Sequence, residues 1–522
     1  MLVVGVAAAA VTSSADRIDT AKAYVQDFQV QQVPRDLAWL AQGVAERGKA
    51  FVNDVVLGQQ SDPRQLPLSM FIDKQERTCW YRLLENIHPP ETDPGCIVAS
   101  PSRFEPNYWF QWTRDSALVM HTLVDQFKKS GHFRSEIDDY VNESQKLQHL
   151  DTVIGNYHTG GLGDVKYNVD GTAFTDAWCR PQPDGPALRA ITLISFARQL
   201  LKSGTDQDKN FVKSVLYDSK LPTESVIKAD LEYVSHHWTA PGCDLWEEVR
   251  GQHFYTQMSV HRALHDGASL AMALGDHGAA VYYAAEAAKV SKTIDEFWSE
   301  ESGRIRVTVN HTQGNANEAN PDQLSDTTYG KKSELDTAVL LAVLHSGKGT
   351  TWELDSRVFA TLDKIIKVFL PLYPINQGRT VPALGRYDSD QYDGIGLSEG
   401  HPWYLCTLSA AELLYRSSRA LSRLRTNFTI EPRARDWYSR FIHVPFNEHV
   451  QLVPGSTDLR KIVRGQRRMA DQFVQVVQDF VRVNGSMNEQ FHRTTGEGRG
   501  ARDLTWSYAA FITAAQARKG LA

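Results

Sequence analysis

Apolar residues recur every three or four positions along most of this chain, which is the spacing of one face of an α-helix. After Asp115 the apolar side chains fall at Leu118, Val119, Leu123, Val124 and Phe127. The same period predicts further helices over residues 186–201, 254–274, 279–297, 335–344, 358–370, 402–421, 469–483 and 503–515. Pro402 suits a first helical position, where its missing N–H costs nothing. Patterns typical of strands are few, and residues 305–309 are the best of them.

These patterns predict an all-α fold. About twelve helices of similar length indicate a helical barrel or toroid, with the functional site in the loops at one end. Residues 1–65 are polar and Gln-rich and form a predicted N-terminal extension, and residues 66–522 form the helical domain. The polar, Asn-rich stretch 310–332 is an expected excursion, and we expect no appended module after the helix that begins near Asp503.

The composition is that of a soluble globular protein. Of 522 residues, 42% are hydrophobic and 23% are charged, and the net charge is −6. Proteins that bind nucleic acid usually carry a basic face, so this mild acidity argues against that class. No run of about 18 apolar residues is present, so we expect no membrane span.

The N-terminus bears on the location of the protein. Residues 1–11 are apolar and Ala-rich, like the apolar region of a signal peptide, but they lack a preceding basic region. Four glycosylation sequons are compatible with export: Asn142, Asn310, Asn427 and Asn484. We therefore expect a secreted, extracellular or vacuolar glycoprotein.

The aromatic residues and the cysteines indicate which kinds of ligand and site to expect in this chain. The chain has 12 tryptophans and 19 tyrosines, whose flat faces stack on sugar rings, although core packing claims most of them. The five cysteines are widely spaced and form no C-x-x-C motif, so neither a zinc site nor a redox framework is predicted. Their odd number leaves at least one thiol unpaired within the chain.

The densest chemical signal is the stretch 242–251, which carries Asp244, Glu247 and Glu248 within five positions. Leu245 and Trp246 lie among these carboxylates, so we expect at least one carboxyl group to face a packed, partly dry wall. Such burial raises the pKa of a carboxylic acid and keeps a proton available for donation. The alternative is a charge cluster that complements a helix dipole.

Further clusters of aromatic and charged residues lie in loops that lead into helices, at residues 108–115, 168–186, 385–403 and 486–491. Loops at one end of a toroid converge on one pocket. Glu247 and Glu489, which are 242 positions apart, are therefore a candidate acid and base pair. The chain has no H-E-x-x-H motif and no P-loop, which removes two other classes of enzyme.

At this point the sequence resembles the glucoamylase family, glycoside hydrolase family 15. The matching segments follow the family order from about residue 71 to the C-terminus. They are IVASPS at 97–102, WTRDS at 112–116, RPQPDGPALR at 180–189, DLWEEV at 244–249, PWYLCTL at 402–408, NGSMNEQ at 484–490 and ARDLTWSY at 501–508.

The resemblance implies an (α/α)6 barrel and an inverting, exo-acting hydrolase that needs no cofactor or metal. Its substrates would be α-1,4-glucans such as starch, glycogen and maltooligosaccharides, with slower action on α-1,6 links. Glu247 matches the general acid, and Glu489 matches the base that activates water. Other positions match residues that bind the sugar: Tyr108, Trp112, Arg114, Asp115, Trp178, Asp244, Leu245, Glu248, Arg386, Tyr392 and Trp403. We expect a monomer without a starch-binding domain.

Some positions differ from the usual family pattern. Phe491 stands where many members have Tyr, so we expect one hydroxyl beside the base to be missing. Cys179 and Cys243 flank pocket motifs at positions where Gly and Tyr are frequent, and His401 replaces a common Asn. Two alternatives stay open: a family relative that acts on trehalose or dextran-type links, and a non-catalytic glucan-binding or regulatory protein on the same barrel.

Overall fold

The computed structural model describes residues 62–310, 335–347, 351–446 and 448–520. Fourteen α-helices lie in these residues. They are α1 Leu68–Glu85, α2 Thr113–Ser130, α3 Arg134–Gln148, α4 Asp184–Ser203, α5 Asp206–Phe211, α6 Val226–His237, α7 Phe254–Ala273, α8 His277–Asp295, α9 Ala338–Ser346, α10 Ser356–Leu372, α11 Tyr404–Ser422, α12 Arg435–Tyr438, α13 Thr457–Phe480 and α14 Thr505–Lys519.

The strands of the described residues are short and form five small antiparallel sheets. They are β1 Gln111–Trp112, β2 Lys166–Tyr167, β3 Gly242–Cys243, β4 Arg250–His253, β5 Trp298–Ser299, β6 Arg304–Ile305, β7 Thr308–Val309, β8 Phe428–Ile430, β9 Val450–Leu452, β10 Gln490–Phe491 and β11 Gly498–Arg499. The pairs are β1 with β2, β5 with β6, β8 with β9 and β10 with β11, and β4 pairs with both β3 and β7.

Six helices form a closed inner ring. The contacts run from α2 to α4, and then in order to α7, α9, α11 and α14. Helix α14 packs against α2 and closes the ring. Outside this ring α3, α6, α8, α10 and α13 pack against inner helices that neighbour them in sequence, and α1 packs against α14 and α13 from the far end of the chain. The chain therefore alternates between an outer and an inner helix, which is the (α/α)6 arrangement.

The sequence of each layer explains its position. Helix α9 reads AVLLAVLHS and is buried on almost every side, as expected for an inner helix with neighbours all around. Helix α13, in the outer layer, buries one stripe and exposes a face rich in Arg and Lys. Side chains fix several helix starts, since Asp276, Asp355 and Ser456 each accept a hydrogen bond from a first-turn N–H.

Most of the helical patterns in the sequence are confirmed, but some details are wrong. Pro402 is not in a helix, because α11 begins two residues later and the Pro402 carbonyl accepts the N–H of Phe491. Residues 305–309 are divided between two sheets. The sequence did not predict α1, α3, α6 or the first half of α13. The expected extension 1–65 and the excursion 310–332 lie almost entirely outside the described residues.

Within the described ranges, none of the helices combines the length and the apolar character that a crossing of a bilayer requires.

A buried ion pair joins the two layers. The Arg189 guanidinium on α4 donates to both carboxylate oxygens of Asp230 on α6 over 2.8 and 2.7 Å, and Gln148 on α3 donates to the same carboxylate over 2.9 Å. Both charged side chains are almost fully buried. Removing one member leaves the other charge without a partner in a dry contact.

We therefore expect Asp230→Ala to lower the free energy of unfolding by about 3–5 kcal/mol, measured by urea denaturation. Asp206→Ala is the control, since Asp206 pairs with Lys209 at the surface and exposed pairs contribute about 0–1 kcal/mol. Equal losses for the two variants would contradict a structural role for the buried pair.

Candidate active site

The inner helices place one cavity at the end of the ring where they begin. The loops that precede α2, α4, α7, α11 and α14 line a cavity of about 510 Å³. The residues before α9 reach it through Asp336, whose carboxylate oxygens accept the Trp246 indole N–H over 3.0 Å. Arg114 and Asp115 on α2 and Trp506 on α14 line the cavity from the first turns of inner helices.

Glu247 is held by four N–H donors. Its Oε1 accepts from Trp112 over 2.8 Å, from Gln182 over 3.2 Å and from Arg114 over 3.4 Å. Its Oε2 accepts the indole N–H of Trp178 over 2.6 Å. The side chain keeps 16% of its surface exposed to the cavity. The carboxyl group is thus oriented from several sides and still open to a ligand.

Glu489 is the drier of the two carboxyl groups, with only 1% of its surface exposed. Its Oε1 accepts the Tyr108 hydroxyl over 2.7 Å, and that hydroxyl lies 3.1 Å from the hydroxyl of Tyr392. Burial raises the pKa of Glu489 to about 7, and the Tyr108 donor and the charge of Arg386 act in the opposite direction.

Only glycine fits at position 500, behind this carboxyl group. A Cβ atom there would lie 2.3 Å from Glu489 Oε2, and the backbone has φ +65°, where side chains are disfavoured. The backbone of Glu489 is held at the same place, because its N–H donates to the carbonyl of Ala501 over 2.8 Å. The loop 498–501 therefore fixes the position of the Glu489 carboxyl group.

Arg114 centres a network of buried charges on one wall. Its Nη1 donates to Gln182 over 2.8 Å and to Asp184 over 3.2 Å, and its Nε lies 3.5 Å from the carboxylate of Asp115. Burial raises the pKa of Asp115 to about 6, although the positive charge of Arg114 opposes this shift. Asp115 thus presents an acceptor, and Arg114 planar donors, beside Glu247.

A second arginine holds the opposite set of loops. Arg386 donates to both oxygens of Asp390 over 2.8 and 2.6 Å and lies 2.6 Å from a carboxylate oxygen of Glu248. The Tyr387 hydroxyl donates to the other oxygen of Glu248 over 2.6 Å. The rings of several cavity residues surround the guanidinium at 5.2 to 5.5 Å, including Trp246, Tyr392 and Trp403. The charge of Glu248 is therefore fully paired.

Lys166 lies behind the indoles that bind Glu247. Its ammonium group is 3.2 Å from the ring centre of Trp178 and 4.3 Å from that of Trp112, with Phe110 and Phe174 at 4.6 and 4.3 Å. Such cation–π contacts favour a cation over ring faces. Burial lowers the pKa of Lys166 to about 7, and the negative charge of Glu247 opposes this.

The structure places all but one of the candidate site residues from the sequence at the same cavity. The cavity is lined by Tyr108, Trp112, Arg114, Asp115, Trp178, Leu245, Glu247, Glu248, Arg386, Tyr392, Trp403 and Glu489. Asp244 does not line it. Its carboxylate accepts the backbone N–H groups of Glu248 and Val249 over 2.7 and 2.9 Å, so it shapes the turn that carries Glu247.

The structure also adds residues that sequence reasoning missed. Asp184, Gln182, Lys166 and Trp506 contact or line the site, although only Lys166 lay outside the quoted motifs. Phe491 faces away from the cavity and packs on Phe480 and Tyr404, with ring centres 5.2 and 4.7 Å apart. The hydroxyl that donates to Glu489 comes from Tyr108 instead.

Cys179 and Cys243 form a disulfide bond, which the sequence did not predict. The available signal is that both cysteines lie directly beside pocket motifs, at positions where the family frequently has Gly and Tyr. The remaining cysteines of the described residues, Cys79, Cys96 and Cys406, are free and buried.

Comparison with known proteins decides the family. The family model described as glycosyl hydrolases family 15 matches residues 79–516. The chain belongs to glycosyl hydrolases family 15.

Relatives within family 15 match most of the chain. A probable glucoamylase of Schizosaccharomyces pombe is 33% identical over 479 residues, which cover 89% of this chain and 95% of that protein. Glucoamylase-1 of Schizophyllum commune is 37% identical over 454 residues, covering 84% and 72%. The glucoamylase structure from Saccharomycopsis fibuligera superimposes with a TM-score of 0.76 at 30% identity, covering 88% of this chain and 96% of that one. The expected family and (α/α)6 fold are thus confirmed.

The hydrogen bond between Tyr108 and Glu489 leads to a prediction about the pH dependence of activity. A hydroxyl that donates to a carboxylate favours the ionised form, so removing it raises the pKa of Glu489 further. If Glu489 must be ionised, Tyr108→Phe shifts the acidic limb of kcat/KM to higher pH. The measurement is the pH profile of glucose release.

Tyr157→Phe is the matched control, because the Tyr157 hydroxyl donates to a backbone carbonyl and lies outside the cavity. An unmoved acidic limb in Tyr108→Phe would show that Glu489 does not set it.

Proposed function

We propose that this chain is a glucoamylase, a glucan 1,4-α-glucosidase that releases β-D-glucose from the non-reducing ends of α-1,4-glucans. The observation that carries the proposal is that the carboxyl groups of Glu247 and Glu489, from distant segments of the chain, line the same cavity. The names of the family 15 relatives support it.

The walls of the cavity suit a sugar. Trp112 and Trp178 meet edge to face with ring centres 6.2 Å apart, so their faces point in different directions around the Glu247 carboxyl group. Aromatic faces stack on the apolar faces of glucose, and the Arg114 and Asp115 pair offers donors and an acceptor to its hydroxyl groups. These features support α-glucans and maltooligosaccharides as substrates, with slower action on α-1,6 links.

The first turns of the inner helices support exo action. Arg114, Asp115 and Trp506 lie at the cavity, and the buried Tyr255 and the half-buried His345 lie within the ring beside Trp506. A glucan that enters this cavity therefore does so by its chain end. The end unit is then the one that reaches Glu247 and Glu489.

In the proposed reaction Glu247 is the general acid and Glu489 is the general base. Glu247 gives its proton to the glycosidic oxygen as the bond to the anomeric carbon breaks. Glu489 takes a proton from the water that attacks this carbon on the opposite face, so the configuration inverts. Inverting enzymes separate the two carboxyl groups by about 6.5–9.5 Å to leave room for the water. No cofactor takes part.

The surroundings of Glu489 favour the opposite assignment. Burial raises the pKa of Glu489 and favours its protonated form, which suits an acid better than a base. The family roles and these surroundings thus lead to two testable assignments. We retain the family roles, because the segments that carry both residues match the family motifs.

A secreted, extracellular or vacuolar location is proposed. The disulfide bond between Cys179 and Cys243 supports it, since disulfides persist in oxidising compartments. The monomeric state remains a prediction.

The purified chain should release glucose from maltose and soluble starch much faster than from trehalose. Activity on trehalose or dextran alone would favour the related-enzyme alternative, and no activity on any of these glucans would favour a binding protein. Proton NMR during early turnover of maltose should show β-glucose first. A dominant α signal before mutarotation would contradict inversion.

The two glutamates are separated by their dependence on the leaving group. Glu247→Gln should lower kcat on maltose by roughly 10²–10⁴-fold, since maltose needs a proton donor. It should keep relatively more activity on α-glucosyl fluoride, because fluoride leaves without protonation. Glu489→Gln should depress both reactions, because water must be activated whatever group departs.

Glu143→Gln is the matched control for these variants. Burial also raises the pKa of Glu143 to about 7, but this residue lies on α3 and does not line the cavity. Its activity on both substrates should be unchanged. If instead Glu489→Gln spared the fluoride and Glu247→Gln did not, the roles would be reversed.

A further inference from the structure

The disulfide bond joins two segments that both contact Glu247. Cys179 and Cys243 are 64 positions apart, and both are buried. Cys179 directly follows Trp178, and Cys243 directly precedes Asp244. The bond therefore lies between the segment 178–182 and the turn 244–249 that carries Glu247.

The turn 244–249 holds Glu247 in an unusual backbone conformation. Glu247 has φ +68°, in the left-handed region that residues with a Cβ rarely adopt. Its N–H donates to the carbonyl of Asp244 over 2.9 Å, and the Asp244 carboxylate binds the next two amides. A residue stays in this region only where its surroundings fix it. The orientation of Glu247 thus depends on how the ends of the turn are held.

The segment 178–182 supplies two of the four donors to Glu247. The Trp178 indole binds Oε2 over 2.6 Å, and Gln182 binds Oε1 over 3.2 Å while also donating to the carbonyl of Cys179. Two further hydrogen bonds link this segment to β3 and β4. The Cys243 N–H donates to the Pro181 carbonyl, and the Arg250 side chain donates to the Arg180 carbonyl, each over 2.8 Å. Neither of these bonds is adjacent to Trp178, whereas the disulfide is.

We propose that the Cys179–Cys243 disulfide is a positioning element for the reaction. It fixes the Trp178 indole against the turn, so that the indole N–H holds the Glu247 carboxyl group toward the glycosidic oxygen. The inference rests on the proposed role of Glu247 as general acid. It assigns no contact with substrate to either sulfur atom.

Three variants test the positioning role: Cys179→Ala, Cys243→Ala and the double variant. Each should lower kcat on maltose by roughly 10- to 100-fold, the cost of a small misplacement of a catalytic group. KM should rise by a smaller factor than kcat falls, because Trp178 also contacts the sugar in the proposed function. The loss on α-glucosyl fluoride should be smaller, because that leaving group needs no proton.

The double variant gives a second criterion. Either single substitution removes the same bond, so the double variant should lose no more than one single variant. Cys79→Ala is the matched control for the removal of a buried sulfur, since Cys79 is free and lies on α1. It should leave the ratio of maltose to fluoride activity unchanged. Additive losses, or equal losses on both substrates, would overturn the proposal.

Hydrogen exchange provides a readout that needs no activity. The amides of 244–249 should exchange faster in the variants than in the wild type, and an unchanged exchange rate would also overturn the positioning role. If a variant does not fold, the disulfide bond of the folded wild type is reduced instead, and the free thiols are counted to give the fraction that is still oxidised. The ratio of activity on maltose to activity on α-glucosyl fluoride should fall as that fraction falls. A wild type that is inactive on both substrates refutes the proposed function, while the exchange experiment still tests the positioning role.

Discussion

Closure of six inner helices into a ring, with their starts at one end, is the constraint on which the rest of the structure depends. Each helix start leaves backbone N–H groups without an intrahelical partner and carries partial positive charge. Carboxylates are favoured there, and Asp115 and Asp184 lie in first turns while Asp336 accepts the N–H of Ala338 over 2.7 Å. The cavity is therefore a product of ring closure, and the loops that precede the helices supply its side chains.

Buried charges at this end are stable because nearly every one has a partner. Taking an ion out of water costs several kcal/mol unless a counter-charge and hydrogen bonds replace the solvent. Arg114 forms ion pairs with Asp115, Asp184 and Glu247. Arg386 forms ion pairs with Asp390 and Glu248. These shared arginines hold the walls in one arrangement before a ligand arrives, which is the preorganisation that catalysis requires.

The inner ring could be predicted from the sequence because its helices bury apolar side chains at regular spacing. Helix α3 could not, since its buried face includes Glu143, Ser144 and Gln148, which the periodicity counts as polar. The site could be predicted where aromatic and charged residues are adjacent in sequence, as around Glu247. The position of Lys166 among four rings and the disulfide bond depend on segments that meet only in the folded chain.

The difference in exposure between the two glutamates bears on their roles once a sugar is bound. Glu489 is already dry, so a ligand removes little water from it. Glu247 still has 16% of its side chain exposed, and a sugar stacked on the neighbouring indoles would cover that surface. Loss of water disfavours a carboxylate relative to its protonated form. At Glu489 this burial raises the pKa, and the Tyr108 hydroxyl and the charge of Arg386 act in the opposite direction. A bound sugar would therefore change the surroundings of Glu247 more than those of Glu489.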